Sequence, residues 1–357
     1  MRLRSSTSPN GSMASCLYGV YAILKQHFTL QLVNRKGLTP FRLLFIALIW
    51  LPPYFFYANY LEAYLLPLRL LCYTQSDLLS KQPISKNFDE CVNKIFGGIR
   101  QVNTSECHLD NVPEVLIRPE LPKNPHVVLV IRTGPGSIDY RNFIRNTWKP
   151  KVEKYFPVVF VCATSPNHKV LEESKKYKDI LQFNFEDSYH NLSWKMMSIY
   201  GFVLDELPSV QKIVVINDDT IVNATALNQL VTDASKSAYM LGKVSRGYPR
   251  IFLPWLTWHV HGKMYPNLCY PLFIQGSSFI LSRSGARQLF RSVCKVPFFH
   301  LDDVYMGIIS NCVGLELRHN PGFDVHEFDK QFVVYHYQYS RHSAKYLQSL
   351  WNSSSLK

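Results

Sequence analysis

The sequence predicts an α/β protein with a largely parallel, doubly wound sheet, preceded by one membrane-spanning helix and a stem. Two observations predict the sheet. Val127–Arg132 (VVLVIR), Val158–Val161 and Ile213–Ile216 are short apolar runs of buried-strand type. Between the last two, Asn191–Leu207 sets Leu192, Met196, Ile199 and Val203 at helical spacing, behind the possible cap Ser193. Strands alternating with helices favour parallel pairing with both faces covered. A third observation predicts the anchor: Leu43 to Leu61 is 19 residues without a formal charge, mostly apolar or aromatic.

About 20 such residues cross a bilayer as a helix. The basic residues before that run (Arg2, Arg4, Lys25, Arg35, Lys36, Arg42) meet no acid until Glu62. By the positive-inside rule they hold the N-terminus in the cytosol and send the rest to the lumen. Trp50, Tyr54 and Tyr57 suit an interfacial belt, and Pro52-Pro53 should kink the helix. The long leader and the lack of an A-x-A site disfavour a cleaved signal peptide; a buried core helix is the bland reading of the same run. The expected organisation is a tail over 1–42, an anchor over 43–61, a proline-punctuated stem over 62–123 and a body over 124–357.

Charge and cysteines agree with that layout. The net charge is +13, but after Glu62 no long basic run occurs, so nucleic acid is excluded as a partner. Seven of the eight cysteines, all but Cys16, would be lumenal, where disulfides persist. An odd number leaves at least one free or paired between chains, and Cys91 with Cys107 is a plausible local pair. No CxxC spacing supports a zinc cluster. Sequons at Asn103, Asn191, Asn223 and Asn352 fit a lumenal body.

Five segments can carry chemistry, and each has a plain structural reading beside the functional one. Asn217-Asp218-Asp219 directly follows an apolar strand, which suits a hard divalent cation; the same residues also suit a turn that caps a helix from Thr225 onward. Arg141 and Arg145 in RNFIRNTW share a helix face and would meet either phosphate or a structural carboxylate. Asp302 and Asp303 head a helical stretch running to about Asn311, either as caps or as a general base in a pocket mouth. Tyr270–Ser282 places Gly276 and small residues by a buried strand, for close backbone approach or a simple bulge. His336 stands in the apolar run Phe332–Tyr337, either as a core histidine or as a ligand.

In order and spacing these segments resemble the β-1,3-glycosyltransferases of glycosyltransferase family 31. The matching pieces are RNFIRNTW (Arg141–Trp148), DILQFNFEDSYHNLSWK (Asp179–Lys195), NDDTIVN (Asn217–Asn223), YPLFIQGSSFILS (Tyr270–Ser282), DDVYMG (Asp302–Gly307) and the VVYH strand ending at His336. The resemblance covers roughly Pro125 to Trp351 and implies a GT-A fold, a UDP-sugar donor and Mn2+ (or Mg2+). It implies an inverting hexosyltransferase with a glycoprotein or glycolipid acceptor, in a type II Golgi membrane protein. The family's acidic triplet falls on Asn217-Asp218-Asp219, with Asp219 as metal ligand, Asp218 supporting and Asn217 where an aspartate is common. Asp303 falls on the base, with Asp302 in place of the more frequent Glu, and His336 on the late histidine ligand. Arg145 and Lys195 are expected on the diphosphate or acceptor side. The alternative is a catalytically silent Golgi relative, glycan-binding or chaperone-like, and Asn217 is its sequence support.

Overall fold

The computed structural model describes residues 68–72, 87–97, 113–232, 237–254, 256–326, 328, 332–337 and 341–354. The expected anchor at 43–61 lies outside the described residues. Among those described, no helix is long and apolar enough to cross a membrane.

The strands are β1 (Val115–Ile117), β2 (Val127–Arg132), β3 (Val158–Thr164), β4 (Ile180–Glu186), β5 (Lys212–Asn217), β6 (Thr220–Val222), β7 (Tyr239–Ser245), β8 (Phe273–Ser282), β9 (Glu316–His319) and β10 (Val334–His336). The helices are α1 (Phe88–Phe96), α2 (Ile138–Asn146), α3 (Lys149–Val152), α4 (Leu171–Tyr177), α5 (Leu192–Glu206), α6 (Ala224–Val231), α7 (Arg283–Ser292), α8 (Asp302–Val313) and α9 (Ala344–Ser353). Eight strands form one sheet in the order β1-β4-β3-β2-β5-β8-β7-β9, and β10 pairs with β6 in a second, two-stranded sheet.

The period of two along each strand explains the two-sided cover. Val128, Val130, Ile213 and Val215 face one core, beneath α1, α5, α7 and α8. Leu129, Ile131, Val214 and Ile216 face the other, beneath α2, α3, α6 and α9. With no polar side chain to satisfy, each such residue contributes about 1.5–3 kcal/mol on burial. Near-continuous apolar runs are therefore the signature of a strand buried on both faces.

Parallel pairing holds across β4-β3-β2-β5. It stops at β8, which runs antiparallel to both β5 and β7. The chain returns from β7 to β8 through residues 246–272, which contain no crossover helix among the described residues, and only a crossover could have made them parallel. Parallel pairing resumes between β7 and β9, while β1 joins β4 antiparallel, so the sheet is mixed with parallel pairs in the majority, as expected.

Two local expectations are corrected. Ser193 does not cap α5; its hydroxyl donates to the Phe299 carbonyl at 2.6 Å. Asp218 and Asp219 do not cap the following helix either, because Asn223 does so by accepting from the Ala226 N–H at 3.2 Å. The aspartates occupy the turn between β5 and β6.

The segment expected as a stem is, over its described residues, part of the folded body. Cys91, Val92, Ile95 and Phe96 of α1 join the core, and β1 extends the sheet against β4. Disulfides Cys72–Cys269 and Cys91–Cys312 tie this region to the rest across sequence separations of 197 and 221 residues. Cys91 therefore pairs with Cys312 and not with Cys107. Helix α1 supplies the reason: its buried face places Cys91 against α8. Cys162, buried in β3, is the free cysteine among the described residues.

Candidate functional site

After β4 and α5 the chain crosses back to set β5 on the far side of β2. At such a reversal the loops leaving two adjacent parallel strands diverge and open a crevice at the strands' carboxyl ends. Arg132 ends β2 and Asn217 ends β5, and the two are register partners. Their side chains meet: Asn217 Oδ1 accepts from Arg132 Nε at 3.1 Å and from Nη2 at 2.6 Å. The same guanidinium donates to Asp302 Oδ2 and to the Gly276 carbonyl. One buried arginine thus spans from the acidic triplet to the head of α8.

Around Asp303 the packing is tight. A Cβ on Gly276 would lie 3.2 Å from Asp303 Cβ and 3.6 Å from Arg132 Nη2. The β7–β8 register shifts between Gly242 and Val244, opposite the stretch of β8 that holds Gly276, so bulge and close approach are one feature. Asp303 Oδ1 accepts the Val304 N–H at 2.7 Å, and its side chain stays partly accessible. Desolvation, and next the neighbouring Asp302 charge, raise Asp303 to about 7. Arg132 offsets little of this because its closest charge partner is Asp302. Tyr189 and Tyr270 lie near enough for the Asp303 charge to add to burial in raising their hydroxyls.

The acidic pair behaves differently. Asp218 is buried, accepting from Thr133 Oγ1 at 2.7 Å and from Arg341 Nη2 at 2.5 Å. Burial raises its carboxyl above the ordinary value, against the Arg341 charge. Asp219 points toward His336, with Oδ1 3.7 Å from Nε2. Burial pushes Asp219 up, but the His336 contact outweighs it and holds the carboxyl below its usual range. His336 reaches this position because β10 pairs with β6 in the register His336 to Thr220. Its Nδ1 meets Asp324 Oδ1 at 2.6 Å, and Ser277 holds that same oxygen at 2.8 Å. Burial would lower His336, yet the two carboxylates lift it to about 9.

A hard divalent cation fits this corner. The Nδ1 contact with Asp324 fixes the imidazole with Nε2 toward Asp219, so a cation bound between them would displace the Nε2 proton and take that lone pair, with the carboxylate behind the ring as histidine ligands commonly have it. Among the described residues no group of three or more His, Cys, Asp or Glu is set to hold a metal. Asp219 and His336 are the two side chains that could hold one. Magnesium-like ions accept that when phosphate and water complete the sphere.

Arg145 and Lys195 are not brought to this group. Arg145 is bound by Asp179 (2.7 and 3.0 Å) and Glu173 (2.6 Å), with its guanidinium over the Phe160 and Tyr177 rings. Arg141 shares Glu173 through two bonds of 2.7 and 2.8 Å. The RNFIRNTW arginines thus serve structural carboxylates. Lys195 is buried, donating to Asp187 at 2.8 Å and to the Thr133 carbonyl at 3.0 Å. It braces the residue that holds Asp218. A surface cavity lined by Tyr155, Tyr177, Lys178 and Asp179 sits at the amino ends of β2 and β3, away from every residue of the crevice.

Sequence reasoning missed Arg132, Thr133, Asp324 and Arg341. A charged residue ending an apolar strand just before Gly134-Pro-Gly136 was a readable signal for Arg132. Asp324 and Arg341 carry no comparable local signal, since their partners lie more than ten residues away.

The family profile described as Galactosyltransferase matches residues 139–321, just over half of the chain. The chain belongs to this galactosyltransferase family. The human beta-1,3-galactosyltransferase 2 is 29% identical over 238 residues, 63% of this chain and 54% of that protein. The lactosylceramide 1,3-N-acetyl-beta-D-glucosaminyltransferase A of Xenopus laevis is 28% identical over 214 residues, 55% of this chain and 57% of that protein. The beta-1,3-galactosyltransferase brn of Drosophila melanogaster is 26% identical over 224 residues, 60% of this chain and 69% of that protein. The chain spans about half the length of the first two. The matched stretch holds Asn217, Asp218, Asp219, Gly276, Asp302 and Asp303, whereas Asp324, His336 and Arg341 lie beyond its end.

Proposed function

We propose that this chain is an inverting hexosyltransferase of GT-A type. It moves galactose or an N-acetylhexosamine from a UDP-sugar to a glycoprotein or glycolipid hydroxyl in β-1,3 linkage, with Mn2+ or Mg2+. The observation that carries the reading is the Arg132 guanidinium, which binds both Asn217 of the acidic triplet and Asp302 beside Asp303. It makes two segments 85 residues apart one site, with a cation corner at one end and a proton acceptor at the other. Family membership and relatives named for β-1,3 transfer support the linkage.

In this reaction Asp303 takes the proton of the acceptor hydroxyl. The freed lone pair forms the new C–O bond at the anomeric carbon, while the bond to UDP breaks and its electrons stay on the diphosphate oxygen. Attack opposite the leaving group turns an α-linked donor into a β-linked product. Asp303 suits the role because its pKa lies near neutrality, where a base is strong and still partly unprotonated. Arg132 holds Asp302 and Gly276, keeping the base aligned. A cation held by Asp219 and His336 would neutralise charge growing on the departing diphosphate.

Golgi membrane residence, type II and lumenal, belongs to the same reading. It is supported by the basic leader, the apolar run and disulfides that persist in oxidising compartments. The test is UDP release from UDP-galactose and UDP-N-acetylglucosamine with Mn2+ and a mixed acceptor panel. Wild-type protein should release UDP with one donor, and Asp303→Asn should lose about 10²- to 10⁴-fold in rate. Release by neither donor, with no UDP binding, would favour a silent relative.

A further inference from the structure

The acidic pair already has a cation of its own, and it comes from neither neighbouring strand. Arg341 precedes α9 and reaches back to Asp218 Oδ1 at 2.5 Å, with its Nε 4.0 Å from Asp219 Oδ2. Two further contacts dock this short stretch. The guanidinium lies over the Tyr140 ring, 4.1 Å from its centroid, and the Tyr140 hydroxyl donates to the His342 carbonyl at 2.9 Å. Tyr140 lies in α2, which follows the Gly134-Pro-Gly136 loop, so the arginine sits above the crevice where β2 and β5 end.

Arg341 also differs from the other cations here. Arg132 and Lys195 are buried with their charges spent, whereas the Arg341 side chain is 48% exposed. A guanidinium has five N–H donors. Its acceptors in the described structure are Asp218 and, more weakly at 3.4 Å, Ser137. It therefore has both the open face and the spare donors to take an anion, while an aromatic ring fixes its plane.

We infer that Arg341 is a diphosphate-binding residue, held on Asp218 until the nucleotide arrives and then shared with or passed to the nucleotide's phosphates. The inference rests on the proposed transfer from a UDP-sugar and adds to it a residue outside the family match. Charge explains the exchange. Without ligand, Arg341 offsets the Asp218 and Asp219 carboxylates. A divalent cation held by Asp219 and His336 would take over that task and leave the guanidinium's donors available to a dianionic group. The bidentate preference of arginine for phosphate favours the move. The same pairing sets a cost for the metal: a cation entering without nucleotide must compete with Arg341 for the acidic pair.

The test compares wild type, Arg341→Ala and Arg341→Lys in the full chain by calorimetry with UDP in Mn2+, ligand-observed NMR with uridine, and Mn2+ titration without nucleotide. Arg341→Ala should weaken UDP roughly ten- to a hundredfold and leave uridine unchanged. Arg341→Lys should fall between, because it keeps charge but loses the fork. Mn2+ alone should bind Arg341→Ala more tightly than wild type. Equal UDP affinity in wild type and Arg341→Ala would overturn the inference, as would an equal loss of UDP and uridine or weaker Mn2+ binding. Wild-type protein that binds no UDP would instead overturn the transfer reading itself.

Discussion

Two Asp-Asp pairs meet in this crevice, and the second carboxyl of each shifts in the opposite direction. In Asp218-Asp219 the second carboxyl is held below its ordinary range, because His336 faces it at 3.7 Å and outweighs burial. In Asp302-Asp303 the second carboxyl is raised to about 7 by desolvation and by Asp302, while Arg132 is engaged with the first. Burial pushes both carboxyls up, and the cation that faces Asp219 but not Asp303 separates them; in the proposed reaction the first stays ionised and the second takes a proton. That division of labour is a recurring way to assign acid–base roles within one site.

The comparison can be broken at the cation end first. Asp219→Asn removes a ligand, and Asp324→Asn removes the partner of His336 Nδ1. We expect Asp324→Asn to weaken Mn2+ by about 10- to 100-fold, and Asp219→Asn to weaken it at least as much, read by titration with UDP present. Unchanged Mn2+ affinity in both variants would mean that this corner holds no metal.

A structural cluster sharpens the contrast. Arg145 and Arg141 sit with Glu173 and Asp179 in buried pairs, and no reacting group touches them. Arg145→Ala should cost about 3–5 kcal/mol by stranding buried charge, seen as a lower denaturation midpoint, with UDP affinity retained in protein that stays folded. A selective loss of UDP affinity without loss of stability would return Arg145 to the binding machinery.

The smallest effect is expected at Asn217→Asp. Asn217 Oδ1 already accepts both Arg132 N–H groups, so the carboxylate would keep that geometry. UDP affinity should change by less than roughly tenfold, on the scale of one hydrogen bond. A gain or loss of a hundredfold would show that the missing charge at Asn217 matters to the donor.

Much of this was readable before the fold was seen. The strands VVLVIR and KIVVIN announce themselves by unbroken apolar runs, and whatever follows such a strand in an α/β sheet stands at its carboxyl end. Asn217, Asp218 and Asp219 were placed that way, and Asp303 and Gly276 by their helix-head and small-residue settings. Reading failed where partners are distant. Arg132 binding Asp302 and Arg341 binding Asp218 depend on pairings 170 and 123 residues apart. Cys91 pairing with Cys312 and β8 running antiparallel are likewise set by tertiary packing, which no local pattern encodes. Lys195 was expected on the diphosphate or acceptor side from the family resemblance; here Asp187 and the Thr133 carbonyl satisfy it in the interior.

The central claim, that Asp303 is the base because burial and the Asp302 charge raise its carboxyl while Arg132 is engaged by Asp302, is tested most directly by the pH dependence of kcat/KM for sugar transfer. The unprotonated form grows as pH rises through the folded pKa, so the rate should climb with an apparent pKa of about 7. Stability has the opposite sign. A carboxyl whose folded pKa exceeds its unfolded value favours the fold while it holds its proton, so that contribution fades as pH rises toward and through 7. Asp303→Asn should abolish the rate limb and remove the stability loss together. A limb near the ordinary carboxylate value, or one that survives in Asp303→Asn, would contradict the account.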